Sequence, residues 1–234
     1  MDNTRILVIS DMQTPFHHKD SIEFLREIKH QLKPTRVISI GDLYDFNFFS
    51  DYGKNPNLFS GREELELVKD ASKKLYKLFP EMDILDSNHG NRIRRKAFQA
   101  GLPKSVLKDE MDIIGAPKTW KLHPELIIKL PNGDYVKLVH NFSSNVLASS
   151  KDQSISLIQG HYHSKFELLY WSTGTKQYFG MTVGCLIDDS NREVFGYNGT
   201  QSKRPILGTG FINNSIPMLI PMHTDKRNNW LGYI

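Results

Sequence analysis

The sequence RVISIGDLYD at residues 36–45 decides which fold the chain can adopt. Its β-branched run Val37–Ile40 predicts a buried strand, and Gly41 and Asp42 follow that strand at once. Polar groups directly after buried strands are candidate functional groups, because open parallel sheets bind ligands at the carboxyl ends of their strands. Two other apolar runs end in the same way: Ile6–Ile9 before Asp11 and Gln13, and Met82–Leu85 before Asn88 and His89.

Helical patterns separate these strands. Apolar residues recur at helical spacing in Ser21–Leu32 and in Glu63–Phe79, and Pro34 and Pro80 follow these segments as helix stops. Residues 92–100 predict a further, basic helix. The order β-α-β-α-β-α predicts a mostly parallel sheet with right-handed crossovers, so the polar groups should gather at one edge of the sheet.

The second half of the chain is richer in strands. The runs Leu126–Leu130 and Tyr135–Val139 flank the turn residues 131–134 and predict a hairpin, and residues 143–152 predict a short helix. Further strands are predicted at Ile155–Ile158, Phe166–Tyr170, Tyr178–Val183 and Ile216–Ile220, and loops at 188–204 and 208–215. We therefore expect two packed sheets, the first mainly parallel and the second mainly antiparallel. They would form one domain over residues 1–234, in which residues 188–234 pack on the domain or cap a cleft.

Composition narrows the functional classes. The 234 residues carry 30 basic and 26 acidic side chains, a net charge of +4, which permits an anionic substrate without requiring nucleic acid. Cys185 is the one cysteine, which excludes a disulfide framework and a cysteine-rich zinc site and favours a reducing compartment. No apolar run approaches the roughly 18–20 residues of a membrane span, and the first residues show no signal-peptide pattern. The expectation is a cytoplasmic protein that does not associate with membranes.

Several side chains that can bind metals follow predicted strands: Asp11, Gln13, Asp42, Asn88, His140, His161 and His163. Oxygen and imidazole ligands without a thiol suit Mn²⁺, Fe or Zn²⁺, with Ni²⁺ a further alternative, rather than Mg²⁺ or Ca²⁺. The set is large enough for two metals that share one carboxylate, and paired cations are a known device for phosphoryl transfer.

In order along the chain, the blocks Asp-x-Gln (11–13), Gly-Asp-x-x-Asp (41–45), Asn-His (88–89), His140 and Gly-His-x-His (160–163) resemble those of the calcineurin-like metallophosphoesterases. The blocks extend over about two thirds of the chain. The resemblance implies a four-layer αββα sandwich of two mixed sheets, an α/β fold, with a two-metal centre at its edge.

The resemblance also implies a role for each residue. Asp42 would bridge two metals, the first held by Asp11, Gln13 and His163 and the second by Asn88, His140 and His161. His89 would protonate the leaving-group oxygen or stabilise its charge, Asp45 would orient His89, and Asn88 and Arg92 would contact substrate. The nucleophile would be a metal-bridging hydroxide that attacks phosphorus in line.

The sequence departs from the family pattern at three positions. Gln13 stands where the family has a histidine, and a neutral amide is a weaker ligand, so the first site is expected to bind loosely or to prefer Mn²⁺. Ser87 replaces a glycine, which we expect to be a minor change if the backbone there keeps a negative φ. Gly90 replaces an acid, which we expect to alter the rim of the site and not the metals.

Two other features leave alternatives open. The basic run from Arg92 to Lys96 could contact phosphate or nucleic acid, or could be a solvated helix face. The aromatic loop at 44–59 could stack nucleobases or could plug a hydrophobic gap.

The function expected from the sequence is a metal-dependent phosphoesterase with two divalent ions, Mn²⁺ first among them. The first hypothesis is a phosphodiesterase that acts on nucleotides or nucleic acid. The alternatives are a phosphomonoesterase for small phosphates or phosphoproteins, and a binding or scaffold protein of low activity that keeps the metal site. The oligomeric state is left open.

Overall fold

Two mixed β-sheets with helices on their outer faces make up the computed structural model, which describes residues 3–51, 57–188, 190 and 204–234. The first sheet contains β1 (Arg5–Ile9), β2 (Arg36–Ser39), β3 (Met82–Leu85), β4 (Trp120–His123), β10 (Gly208–Asn213) and β11 (Ile216–Pro221). The second contains β5 (Leu126–Lys129), β6 (Tyr135–Val139), β7 (Ser156–Gln159), β8 (Phe166–Ser172) and β9 (Gln177–Val183). The helices are α1 (Ser21–Leu32), α2 (Gly61–Leu78), α3 (Arg92–Gln99), α4 (Glu110–Ile114) and α5 (Val146–Gln153).

The first sheet has the strand order β11-β10-β1-β2-β3-β4. Strands β1 to β4 are parallel neighbours, as the alternation of strands and helices predicts, and α1 and α2 connect the first three. The carboxyl ends of β1, β2 and β3 therefore lie at one edge of the sheet, and the polar residues that follow them lie there too.

The second sheet has the order β5-β6-β7-β9-β8. The pairs β5–β6 and β8–β9 are antiparallel, but β6–β7 and β7–β9 are parallel, so the expectation of a mainly antiparallel sheet is wrong for half of its pairs. The reason is that α5 connects β6 to β7 as a crossover helix, and a crossover joins parallel strands.

Three layers of apolar contacts hold the sheets and helices together. Between the sheets, Ile38 and Ile40 of the first pack in one buried cluster with Leu138 and Ile158 of the second. The other face of the first sheet packs against α1 and α2, and the other face of the second sheet packs against α5 through Val146. The order helix-sheet-sheet-helix confirms the α/β four-layer sandwich expected from the sequence.

Strand β10 corrects the prediction of a loop at 208–215. The glycines of this segment suggested a loop. In the structure they lie in a strand, where neighbouring groups occupy the space that any larger side chain would need. A Cβ at Gly208 would lie 2.7 Å from the Phe166 ring, and one at Gly210 would lie 2.7 Å from Val183. Strand β10 pairs with β1, so the described C-terminal residues extend the first sheet. Most of the loop predicted at 188–204 lies outside the described residues.

Strand β4 and helix α4 are two elements that the sequence pattern did not predict. Strand β4 is an edge strand next to β3, and its burial falls from buried Trp120 to exposed Lys121 without a run of apolar residues. Helix α4 has only five residues and begins at an Asp109 cap, too short for a helical period to show. Among the described residues, no helix is both long and apolar enough to cross a membrane.

Glu64 of α2 ties a short 3₁₀ turn at Asn47–Phe49 to the helix. Its two carboxylate oxygens accept hydrogen bonds from the backbone N–H groups of Asn47, at 2.6 Å, and Phe48, at 2.8 Å. Burial raises the pKa of this carboxyl group. The turn begins two residues after Asp45, so Glu64 fixes the end of a loop that carries a predicted site residue.

We expect Glu64→Ala to lower the free energy of unfolding by about 2 kcal/mol or more, because two backbone N–H groups lose their acceptor in a largely buried place. Chemical denaturation of the purified protein measures the change. Glu66→Ala on the same helix is the matched control, since Glu66 is exposed and forms a solvent-exposed ion pair with Arg62, and it should leave stability nearly unchanged. Equal losses for the two variants would contradict the role given to Glu64.

Candidate metal centre

The edges of the two sheets meet where Gly41, after β2, touches His140, after β6. A Cβ at Gly41 would lie 2.7 Å from His140 Nδ1 and 2.6 Å from Ser87 Cβ, and the residue has a φ of +109°. Only glycine fits this close approach in that backbone conformation. It brings the loops after β1, β2 and β3 against those after β6 and β7.

The loops after β1 and β2 continue the parallel pairing of their strands. The backbone N–H of Asp11 donates to Gly41 O at 3.1 Å, and that of Gln13 donates to Asp42 O at 2.9 Å. Asp11, Gln13, Asp42 and His161 all have positive φ values, between 46° and 66°, which is uncommon for residues with a side chain. Such backbone strain persists only where the surrounding structure holds it, and it concentrates at functional sites.

The first group of donors surrounds Asp11. Its Oδ1 lies 3.0 Å from His163 Nε2, and its Oδ2 accepts the backbone N–H of His161 at 2.8 Å. The Ser10 hydroxyl donates to the same Oδ2. Gln13 Nε2 lies 3.4 Å from His163 Nε2, so the amide is beside the ring that the sequence placed on the same metal.

The second group surrounds Asp42, which is 1% exposed. Its Oδ2 lies 3.1 Å from His140 Nε2, and the exposed Asn88 places Oδ1 2.7 Å from the same nitrogen. Ligating atoms of Asp42, His140 and His161 all lie within 4.8 Å of one another. The structure therefore brings together every residue that the sequence proposed as a metal ligand: Asp11, Gln13, Asp42, Asn88, His140, His161 and His163.

The orientation of His140 fits a cation in the second group. Its Nδ1 must donate to Ile40 O, 3.0 Å away, because a carbonyl oxygen can only accept. Its Nε2 then faces the oxygens of Asp42 and Asn88, and a cation bound there would satisfy all three lone pairs. Two ligand atoms that are each about 2.1 Å from one metal and at right angles are about 3 Å apart. The distances from His140 Nε2 to Asp42 Oδ2 and to Asn88 Oδ1, 3.1 Å and 2.7 Å, are close to this value. A hydrogen bond from the other ring nitrogen is the usual way in which a metal-binding histidine is oriented.

The pKa values follow from the pairing of carboxylates with imidazoles. Burial opposes charge on His140, but the Asp42 carboxylate outweighs it and raises the pKa of the ring to about 9. Against the effect of burial, His89 and His140 hold the pKa of Asp42 below its usual value. A cation that binds at Asp42 must displace the proton from His140 Nε2.

The Asp11 group shows the same pattern. Burial opposes ionisation, but His163 lowers the pKa of Asp11, and Asp11 in turn raises that of His163. The pKa of His161 is lowered instead, by burial and by the neighbouring His140. A neutral imidazole is the form that binds metals, so His161 is ready for coordination without losing a proton.

His89, Asp45 and Arg92 form a buried contact beside the second group. His89 Nδ1 lies 2.9 Å from Asp45 Oδ1, and its Nε2 lies 3.1 Å from Arg92 NH2 and 3.7 Å from Asp42 Oδ2. A guanidinium can only donate, so His89 Nε2 is the acceptor and a neutral ring carries its proton on Nδ1, which lies close to Asp45 without an aligned hydrogen bond. Arg92 also donates to Asp45 O at 2.7 Å and is 8% exposed, so its side chain is held against the protein.

Ser87 contributes more than its sequence position suggested. Its hydroxyl accepts the backbone N–H groups of Asp42, at 2.9 Å, and Gly90, at 3.2 Å, and so joins the loops after β2 and β3. A serine can do this where a glycine cannot. No local pattern in the sequence indicated the contact, because Ser87 and Asp42 are far apart along the chain.

Comparisons with known proteins give no family assignment: no family model matches the chain, and no curated protein matches it. Three solved structures illustrate its similarities. A phosphodiesterase from an archaeon is 16% identical, with a TM-score of 0.49, over 93% of this chain and 99% of that one. Vps29 of Chaetomium thermophilum is 11% identical, with a TM-score of 0.49, over 97% of this chain and 93% of that one. The nuclease MPE of Pseudomonas putida is 11% identical, with a TM-score of 0.41, over 92% of this chain and 86% of that one.

Gly160 leads to a test of the Asp11 group. A Cβ at this position would lie 1.8 Å from Ser10 Oγ and 2.7 Å from Asp11 Oδ2. We expect Gly160→Ala to lower the free energy of unfolding by about 1–3 kcal/mol, as overpacking does, with displacement of the Asp11 carboxylate.

Thermal unfolding of the metal-free protein checks this expectation. Adding Ser10→Ala should restore part of the loss, because the closest atom is then removed. Gly174→Ala is the control, since nothing lies within 4 Å of its Cβ. A Gly160→Ala protein as stable as the wild type would show that the packing here is not tight.

Proposed function

We propose that this protein is a metal-dependent phosphoesterase, a member of the calcineurin-like metallophosphoesterases, that acts on phosphodiesters of nucleotides or nucleic acid. One observation supports this more than any other. Asp42, His140 and His161 place ligating atoms within 4.8 Å of one another, and the Asp11–His163 pair interacts with the same cluster. A carboxylate shared between two such groups is suited to a pair of divalent cations.

In this proposal, Asp11, Gln13 and His163 hold the first metal, Asn88, His140 and His161 hold the second, and Asp42 contacts both. When bound, two such cations activate water and neutralise charge on phosphate oxygens. The oxygen and nitrogen donors suit Mn²⁺, with Fe, Zn²⁺ and Ni²⁺ as alternatives. Gln13 must rotate its amide to present oxygen, since the nitrogen now faces His163.

The leaving group would meet His89 and Arg92 together. The sequence left two roles open for His89: protonation of the leaving oxygen or stabilisation of its charge. Both roles need a proton on His89 Nε2, whereas the Arg92 contact makes that nitrogen the acceptor, so the ring would have to take up a proton or exchange Arg92 for the leaving oxygen when substrate binds. Asp45 contacts both side chains and keeps the ring and the guanidinium in place. Direct contact between Arg92 and substrate stays a prediction.

Gln13 supports the alternative of a binding protein with low activity. An amide is a weaker ligand than an imidazole, and a half-filled centre would turn over slowly. A phosphomonoesterase is the other alternative.

The first test is Mn²⁺-dependent hydrolysis of bis-p-nitrophenyl phosphate and of p-nitrophenyl phosphate, with metal content measured on the same preparation. We expect bound metal and faster turnover of the diester. Asp42→Asn should lose both the bound metal and the turnover of the diester, because the shared carboxylate becomes a neutral amide. Faster monoester turnover would replace the diesterase assignment, and bound metal without turnover would indicate the binding protein.

We expect His89→Ala to reduce kcat by about 10²–10⁴-fold while metal content is unchanged. The ring touches Asp42 only at 3.7 Å and is not among the proposed ligands. His30→Ala is a control for removal of an imidazole outside the centre, since that ring is 81% exposed on α1. Full activity of His89→Ala would remove this residue from the mechanism.

Gln13→His should tighten binding of the first metal, because imidazole replaces a neutral amide. Titration with Mn²⁺ followed by calorimetry measures the affinity of each site separately. Gln31→His on the exposed face of α1 serves as the control for a histidine added at random. An unchanged first-site affinity would mean that Gln13 is not a ligand.

A further inference from the structure

We propose that a groove beside α3 binds single-stranded nucleic acid and presents its phosphodiester to the metal centre. The inference rests on the proposed function, since it names the substrate of that same site. The groove is lined chiefly by Arg94, Arg95, Phe98, Leu102, Lys104 and Leu107 and has a volume of about 370 Å³. We call it the α3 groove.

The segment of chain that lines the α3 groove is basic. Residues 87–108 contain no aspartate or glutamate, and they carry six basic side chains: Arg92, Arg94, Arg95, Lys96, Lys104 and Lys108. The whole chain, by contrast, has 26 acidic residues to 30 basic ones, so this segment concentrates more than the entire net charge of +4. A basic strip of this kind attracts a polyanion such as the phosphate backbone of a nucleic acid.

The ion pairs of this strip leave it available to phosphate. Asp51 pairs with Arg95 and with Lys96, and Asp86 pairs with Arg94. Each of these side chains is about a third or more exposed, and exposed ion pairs contribute little. A phosphate can therefore exchange with these carboxylates at small cost.

The apolar residues of the groove favour a single strand over a duplex. Phe98 is 80% exposed, and Leu102 is 47% exposed beside it. Phe98 is four residues after Arg94 in α3, so the two side chains share a helix face. An aromatic ring next to a guanidinium is the arrangement on which unpaired bases stack, whereas bases in a duplex are hidden from it.

The α3 groove lies along the helix whose first residue contacts His89. Its lining begins at Asn91, and α3 begins at Arg92, whose guanidinium contacts His89. A helix rises about 1.5 Å per residue, so Phe98 lies about 9 Å along the axis from Arg92. A strand stacked on Phe98 would reach His89 by covering this rise and passing about 120° around the helix, since Arg92 and Phe98 are six residues apart at about 3.6 residues per turn.

The test compares the wild type with the double variant Phe98→Ala/Lys104→Glu. Both side chains are exposed and outside the proposed catalytic residues, so the fold should be kept. The matched control is Tyr135→Ala/Lys151→Glu, an exposed aromatic and an exposed lysine on the second sheet and α5. The probe is a fluorescein-labelled 20-mer of deoxythymidine, bound in EDTA to prevent cleavage and read by anisotropy at two salt concentrations.

We expect the double variant to weaken binding of the 20-mer by at least about tenfold, with a shallower salt dependence, while the control variant binds as the wild type does. In the presence of Mn²⁺, the double variant should have a lower kcat/KM for the 20-mer because its KM rises. Its turnover of bis-p-nitrophenyl phosphate should be unchanged.

Three outcomes would overturn the inference: no binding of the 20-mer by the wild type, equal binding by the double variant, or equal binding of a duplex or of poly-glutamate. Failure of the proposed function is separate, because it would show as no turnover of any ester whether or not the 20-mer binds.

Discussion

The contact between the Asp42 carboxylate and the His140 ring joins the two sheets at their common edge, and the candidate site depends on it. Asp42 follows β2 of the first sheet and His140 follows β6 of the second, and their side-chain atoms lie 3.1 Å apart. The apolar core between the sheets sets this distance, since Ile40 and Leu138 pack in it, each two residues before Asp42 or His140. Gly41 allows the approach because any side chain there would overlap the His140 ring.

Backbone strain at the site is held by hydrogen bonds that continue the sheets. Asp11, Gln13 and Asp42 have left-handed conformations that side chains disfavour, by roughly 1 kcal/mol or more each. The parallel pairing of β1 with β2 runs on through these residues and fixes them. The strain is therefore balanced by the sheet, and the carboxylates are set in place before any ligand binds.

Charge in the site is balanced between buried carboxylates and imidazoles. Asp11 lies against His163 and Asp42 against His140, so each ionised oxygen has a partner in a place from which water is largely excluded. A divalent cation that binds here would coordinate the same carboxylate and imidazole groups and so replace the contacts between them. Gln13 differs from its neighbours, because its amide is a weaker ligand than a carboxylate or an imidazole.

The sequence by itself determined the order of the strands and helices, apart from β4, α4 and β10, and the polar residues that follow β1, β2, β3, β6 and β7. Runs of β-branched residues predict buried strands, and the carboxyl ends of parallel strands lie at one edge of their sheet. Only the tertiary structure decided what those residues touch. Three contacts depend on packing. The Ser87 hydroxyl accepts the backbone N–H of Asp42, the Arg92 guanidinium contacts His89, and Gly208 of β10 lies against Phe166. Such contacts join residues that are distant or unpatterned along the chain, and their distances are set by the packing of one sheet on the other.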